Sequence, residues 1–366
     1  MAEENGPTKA GFITHLHAFR GVAIILIVGA HAPTMTIWDL GMQGPLDPNL
    51  ALAAGVEVIG HNSTLFFAFI SGLLFSTILA GRGWGRFYKS KILNVLFPYA
   101  FFTLLFTLFH WKFGQSLQVF SGDVGAYARE VWDNLLTGQA SFQFWYIPVL
   151  AILFVLTPIT AWTMRQRWAP FILVPLLAAP LVLSRTFPDN SVENVVVFLA
   201  PYAFGVWLGL DYEKRVRHVE RLFWPCVVLA IVASIAAYIL FFNHYGPLLV
   251  RDEDPAGPVN WYETASYVQK MALLCLVLLW LRAHSDWLPR WLDLLAINAF
   301  AIYFMHAFLL FSFFEWVNLF LDAQPPATVQ IAVGLLAWIG VLAVSLAISE
   351  GLRRLLGPRS KMLIGA

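Results

Sequence analysis

Arg20 and His31 stand eleven residues apart in an otherwise apolar run, Arg20-Gly-Val-Ala-Ile-Ile-Leu-Ile-Val-Gly-Ala-His31. In an α-helix, eleven residues rise about 16 Å and turn about 20° past three full turns, so both side chains share one stripe. A guanidinium carries charge on a planar fork of donors, which suits a phosphate. An imidazole is the usual general base for an alcohol nucleophile. An arginine at the rim of an apolar layer and a histidine about halfway across would bind an anion and activate a hydroxyl along one line. A blander pair of roles stands beside that one: an arginine snorkelling to the interface and a histidine bonded to a neighbouring carbonyl.

Other polar residues in apolar surroundings follow along the chain. Leu-Phe-Phe-Ala-Phe-Ile-Ser71-Gly72 ends in two small residues that allow close helix contact, which explains Ser71 more simply than chemistry does. The basic stretch Arg82, Arg86, Lys89 and Lys91 leads into Leu-Phe-Pro98-Tyr99. It reads equally as a topology signal and as a phosphate cradle. Phe142-Gln-Phe-Trp145-Tyr146-Ile-Pro148 suits an interfacial anchor, and a late apolar run holds Asn298, Tyr303 and His306 with Glu315 at its end. Asn62, Trp145 and Tyr303 are candidate donors to an oxyanion by depth alone.

The elements that must hold these residues are membrane helices. Of 366 residues, 59% are hydrophobic and 12% charged, far from the balance of a soluble domain. The apolar residues come in runs of about twenty, long enough to cross a hydrocarbon core of about 30 Å. Ten spans are expected, at 18–38, 61–80, 92–111, 142–163, 168–184, 195–210, 221–243, 263–281, 291–314 and 328–350, forming one all-α domain over 1–366. Pro170, Pro175 and Pro180 make the fifth the least regular. The start of the chain has no separate apolar core of a cleaved leader. Eighteen of the 23 lysines and arginines fall on the side bearing both termini, against four (Lys112, Arg129, Arg185 and Arg251) on the other, and Lys270 lies within a span. That asymmetry, with an even span count, predicts cytoplasmic termini. Acidic residues, including the run at 251–254, gather on the opposite side. The net charge of +1 argues against a nucleic-acid partner, and Cys226 and Cys275 signal neither disulfide nor metal site.

In this order the pieces resemble the acyltransferase-3 family of integral membrane O-acyltransferases. The most specific is Arg-x10-His, here Arg20 and His31. Phe-Phe-x-x-x-Ser71-Gly72, Lys91 to Pro98-Tyr99, Phe144-Trp145-Tyr146-Ile147 and Asn298-Ala-Phe-Ala-Ile-Tyr303-x-x-His306 support it. One position departs: the family often has Arg-x-x-Arg before its third span, whereas this chain has Lys91-Ile-Leu-Asn94. The extracytoplasmic hydrolase-like domain that often follows the last span is not expected here. The resemblance implies transfer of an acyl group from cytoplasmic acyl-CoA, acetyl-CoA being the expected form, to a hydroxyl of a glycan or lipid-linked sugar. It places the chain among lipids of a bacterial inner membrane and calls for no tightly bound cofactor or metal. His31 would be the base, with Arg20 beside it. Arg20, Arg82, Arg86, Lys89, Lys91 and Ser71 would face the donor, and Asn62, Trp145, Tyr303 and His306 the acceptor. Two other classes remain: a transporter or flippase using Arg20, His31 and His306 along a polar path, and a noncatalytic scaffold. Lack of an internal repeat counts against the transporter.

Overall fold

The computed structural model describes residues 9–40, 50–108, 123–184, 191–245, 259–321 and 325–365. Every regular element among them is helical. In chain order the α-helices are α1 (Lys9–Leu40), α2 (Leu50–Gly60), α3 (Thr64–Leu74), α4 (Trp84–Lys91), α5 (Phe97–Leu108), α6 (Val124–Thr137), α7 (Tyr146–Arg165) and α8 (Ala169–Ala178). They continue as α9 (Val192–Leu210), α10 (Tyr212–Arg221), α11 (Phe223–Tyr245), α12 (Trp261–Ala283), α13 (Arg290–Ile297), α14 (Ala299–Val317), α15 (Ala327–Leu356) and α16 (Ser360–Ile364). Wider π turns at Phe75–Leu79 and Ile92–Leu96 join α3 to the next connection and α4 to α5.

Nine stretches among the described residues are long and apolar enough to cross a bilayer, where ten were expected. The expected fifth, 168–184, holds only the ten residues of α8 and a three-residue turn, Ala179–Leu181. That is about 20 Å of helix. It nevertheless carries the chain between the two ends of the bundle. It follows α7, whose Arg165 lies beside Trp84 and Phe87. At its far end Thr264 Oγ1 donates to Leu181 O (2.9 Å), Tyr267 OH to Leu177 O (3.0 Å) and Asn260 N to Ser184 Oγ (3.0 Å). His17 and Arg20 of the first span share a cavity with Lys361 and Gly365 of the C-terminal segment, so both segments lie at one end of the bundle. Other spans differ from expectation as well. The second begins at Ala51 rather than 61, the third at Trp84 rather than 92, the last runs to Ile364 rather than 350, and the ninth is broken at Asn298, between α13 and α14. Asn298 Nδ2 donates to Glu350 Oε1 (2.8 Å) and its Oδ1 accepts from Ser349 Oγ (2.6 Å), tying the break to α15.

Burial sorts the helices. α11 and α15 expose rows of apolar side chains, such as Val228, Ile231, Ile235 and Ile239, and Ile331, Leu335 and Ile339. Such rows face lipid in a membrane. Exposed Trp84, Trp224, Trp287 and Trp291 lie toward one end, and Trp132, Trp261 and Trp316 toward the other, as interfacial anchors do. The Ala51–Ile78 stretch is the most enclosed. There α3 and α9 touch backbone to backbone: a Cβ on Gly72 would strike Tyr202 O, and one on Gly205 would strike Phe69 O. The small-residue reading of Ser71-Gly72 thus has its partner in α9. Outside the spans, α10 docks on the start of α1 through Tyr212 OH and His15 Nε2 (2.9 Å). Burial pushes the Tyr212 phenol well above its ordinary pKa, so it stays neutral there. Arg282 pairs with Glu213 and Glu220 of α10 at 2.6 Å each.

The break between α2 and α3 shapes the site. Asn62 sits at φ 60°, a left-handed conformation that asparagine tolerates better than most residues. A helix end leaves four carbonyls without partners. Here all four find one: Glu57 O accepts from His61 N (2.8 Å) and Gly60 O from Ser63 N (3.2 Å) and Ser63 Oγ (2.6 Å). Val58 O (3.1 Å) and Ile59 O (2.9 Å) accept from Lys270 Nζ, which also donates to Gln269 Oε1 (2.7 Å). The one lysine expected inside a span is thus the cap of a broken helix, its three donors matched to three acceptors.

Candidate active site

Of the cavities that α1 lines, two lie one at each end of the Arg20–His31 stripe. The outer one, about 180 Å³, is lined by His31 and Thr34 of α1, Glu57 of α2, His61 to Thr64 at the break, and Phe142, Gln143, Trp145 and Tyr303. The inner one, about 470 Å³, is lined by His17, Arg20, Ser71, Lys91 and Asn94, by Phe67 and Phe300, and by Lys361 and Gly365. No residue lines both. Phe67 of the inner cavity meets Tyr303 of the outer cavity edge-on, with ring centroids 6.4 Å apart, so these rings stand between the two.

His31 is oriented from two sides. Its ring lies edge-on to Phe142, 4.8 Å between centroids. Its Nδ1 is 3.0 Å from Nε2 of fully buried His306, with the two rings parallel within 4°. The other nitrogen of His306, Nδ1, is 2.8 Å from Tyr303 O and 3.2 Å from Ile302 O. Carbonyls only accept, so His306 Nδ1 carries its hydrogen and Nε2 accepts from His31 Nδ1–H. In neutral His31, Nε2 is then the nitrogen with the lone pair. That is the arrangement of a base held by a third group.

Opposite His31, the cavity wall is acidic and polar. His61 Nε2 is 2.6 Å from Glu263 Oε1 and its Nδ1 is 3.5 Å from Glu57 Oε2. Asn62 Nδ2 donates to Glu263 Oε2 (3.0 Å), and Thr34 Oγ1 to Glu57 Oε1 (3.2 Å). Tyr303 OH donates to the Gln143 carbonyl. Of the three candidate oxyanion donors, Asn62 and Tyr303 therefore direct a donor at a protein acceptor, while all three, Trp145 included, line the cavity.

At the inner cavity Arg20 lies over the Phe300 ring (5.8 Å) and Lys91 Nζ over Phe154 (4.5 Å) and Phe87 (5.6 Å). Such contacts hold a cation without neutralising it. The π turn at Ile92–Leu96 presents Asn94 and Val95 to this cavity, and wider turns of this kind recur at functional sites. Ser71 lines the cavity as well. Arg86 and Lys89 are exposed on α4 and line neither cavity. The Arg82 side chain lies outside the described residues, as do Lys112, Arg185 and Arg251 and most of the 244–262 loop.

The sequence pattern does not single out Glu57, His61, Gln143 or Lys361. Glu57 falls in the connection before the expected second span, and His61 on that span's first residue. Had that span started at 51, an ionisable pair at i and i+4 in an apolar helix would have been the signal. Gln143 sits inside the aromatic 142–148 motif and was passed over for its neighbours. Lys361 had no motif around it.

The comparisons with known proteins agree with this architecture. The profile of an acyltransferase domain, the acyltransferase-3 family, matches residues 13–350. A protein of Staphylococcus aureus named "Probable poly-beta-1,6-N-acetyl-D-glucosamine export protein" is 23% identical over 343 residues, covering 88% of each chain. The protein of the same name from another strain is 22% identical over the same length and coverage. No solved structure matches the chain. Because the match spans almost all of the chain, this protein is a member of the acyltransferase-3 family, an integral membrane O-acyltransferase.

Proposed function

We propose that the protein transfers an acyl group, acetyl being the simplest, from cytoplasmic acyl-CoA to a hydroxyl of a glycan or lipid-linked sugar, with His31 as general base. One observation carries this reading: a single helix, α1, delivers Arg20 to a cation-lined cavity and His31 to a carboxylate- and amide-lined one. The first suits the anionic part of CoA and the second a polyhydroxyl acceptor. The acceptor oxygen attacks the thioester carbonyl while His31 Nε2 takes its proton. The tetrahedral adduct then collapses, the C–S bond breaks, and the CoA sulfur leaves and recovers a proton. No acyl-enzyme is needed. The distant relative named for a glucosamine polymer supports a glycan acceptor. Clustering of cations with both terminal segments supports an inner end facing the cytoplasm of a bacterial inner membrane.

The test is mass spectrometry of surface glycans from cells with and without the protein. An added acyl mass dependent on His31 is expected. Identical glycans in both strains would overturn the reading. A second reading, glycan export, is favoured by the relative's printed name. Movement of polymer across the membrane in a His31→Ala strain, with no acyl transfer in wild type, would establish it instead.

A further inference from the structure

The inner cavity is partly built by a segment that the family match does not reach. The profile ends at residue 350, whereas Lys361 and Gly365 line the cavity. The placement of this segment is built in. After α15 the chain reverses at Gly357, whose φ of 57° with ψ of −135° is a conformation open to glycine. Ser360 Oγ donates to Gly357 O (2.8 Å), closing the turn. Ile364 is only 2% exposed, and a Cβ on Gly365 would lie 3.0 Å from Phe300 Cβ and 3.4 Å from Asn94 O. α16 is thereby pinned against α5 and the 92–96 turn, and it carries Lys361 to the cavity mouth.

The charges there do not balance. Arg20, Lys91 and Lys361 line the cavity with no Asp or Glu. Among the described residues none of the three is in an ion pair. Three cations on one cavity call for a polyanion. They also stand in an order. Arg20 lies below His31 on α1 and, with Lys91, is held over aromatic rings within the bundle. Lys361 is the exposed one of the three. A CoA thioester has a matching order: thioester, flexible arm, diphosphate, then the ribose with its 3′-phosphate. With the thioester toward His31, the diphosphate falls at Arg20 and Lys91, and the 3′-phosphate at the mouth. Lys361 lines the same cavity as Asn94, where this chain has an amide in place of the second arginine of the resembled family.

Resting on the acyl-CoA reading above, we infer that the C-terminal hairpin is the outer wall of the donor site and that Lys361 recognises the 3′-phosphate of CoA. The test compares acetyl-CoA with acetyl-dephospho-CoA, which lacks only that phosphate, on full-length protein at low ionic strength. Wild type is expected to bind acetyl-CoA about tenfold more tightly than the dephospho form, as one charge-assisted contact allows. Lys361→Ala should lose that preference by weakening acetyl-CoA alone, and Lys361→Arg should keep it. Equal weakening of both donors by Lys361→Ala, or an undiminished preference in that variant, overturns the assignment. Wild type that binds neither donor overturns the acyl-CoA reading itself, and this inference falls with it. Because Lys361 is exposed and the hairpin is anchored by Ile364, the alanine variant leaves the fold in place. Unchanged binding of acetyl-dephospho-CoA verifies that.

Discussion

The tautomer of His306 dictates that of His31, and the two histidines should therefore fail differently. His31→Ala and His31→Gln should each lower turnover by about 10²–10⁴-fold, since neither side chain can take a proton in the transition state. Donor affinity should stay at the wild-type value. His306 touches no reacting atom in this scheme and acts by holding His31 Nδ1–H. His306→Leu should lower kcat with KM for acyl-CoA unchanged, and His306→Gln, whose amide oxygen can accept the same hydrogen, should recover part of the loss. Equal kcat in the Leu and Gln variants would show His306 to be packing only. At this scale Arg20, His31, Ser71, Lys91, Tyr303 and His306 were legible because each is a polar residue out of place in an apolar run or part of an ordered motif. Glu57, His61 and Lys361 were not. The first two were hidden by a span boundary, and the third lies on a hairpin whose return to the bundle is a tertiary event that no local pattern records.

Helix breaks, rather than helices, distinguish this bundle at the scale of the element. The expectation of about twenty residues per span placed α2 outside the membrane, because uniform straight helices were assumed. Composition could not reveal that Ala51–Ile78 is one crossing in two pieces. Nor could it reveal that Lys270, far along the chain, supplies the cap. Lys270→Met keeps the length of the side chain but leaves two carbonyls unpaired, each costing about 1–3 kcal/mol. The expected outcome is a lower unfolding temperature in detergent together with a raised KM for the acceptor, because Asn62 and His61 are placed by this break. A variant with lowered stability but an unaltered acceptor KM would separate the break from the site. The break at Asn298 was equally hidden, although its residue had been singled out. Its amide serves the contact with Glu350 and Ser349.

For the whole molecule, hydropathy made the helical membrane architecture and nine of its crossings plain, and charge asymmetry suggested its sidedness. The length of the fifth segment was not legible, because three prolines in an apolar run do not say where a helix stops. Reporter tags at both termini should read as cytoplasmic, and one in the 244–262 loop as outside; opposite readings at the two termini would mean that 168–184 does not cross. The contact of Phe67 with Tyr303 has a consequence beyond catalysis. A bilayer under voltage drives charge at about 2.3 kcal/mol per unit charge per 100 mV. Two water-accessible hollows approaching each other from opposite faces thin the insulation to whatever separates them, and here that is a pair of aromatic rings. On the proposed mechanism a long donor arm passes this point, and the protein would have to admit it without short-circuiting the membrane. Phe67→Ala should therefore make proteoliposomes leak protons faster at an imposed potential, with saturating acyl-CoA, whose arm would occupy the gap, slowing the leak again.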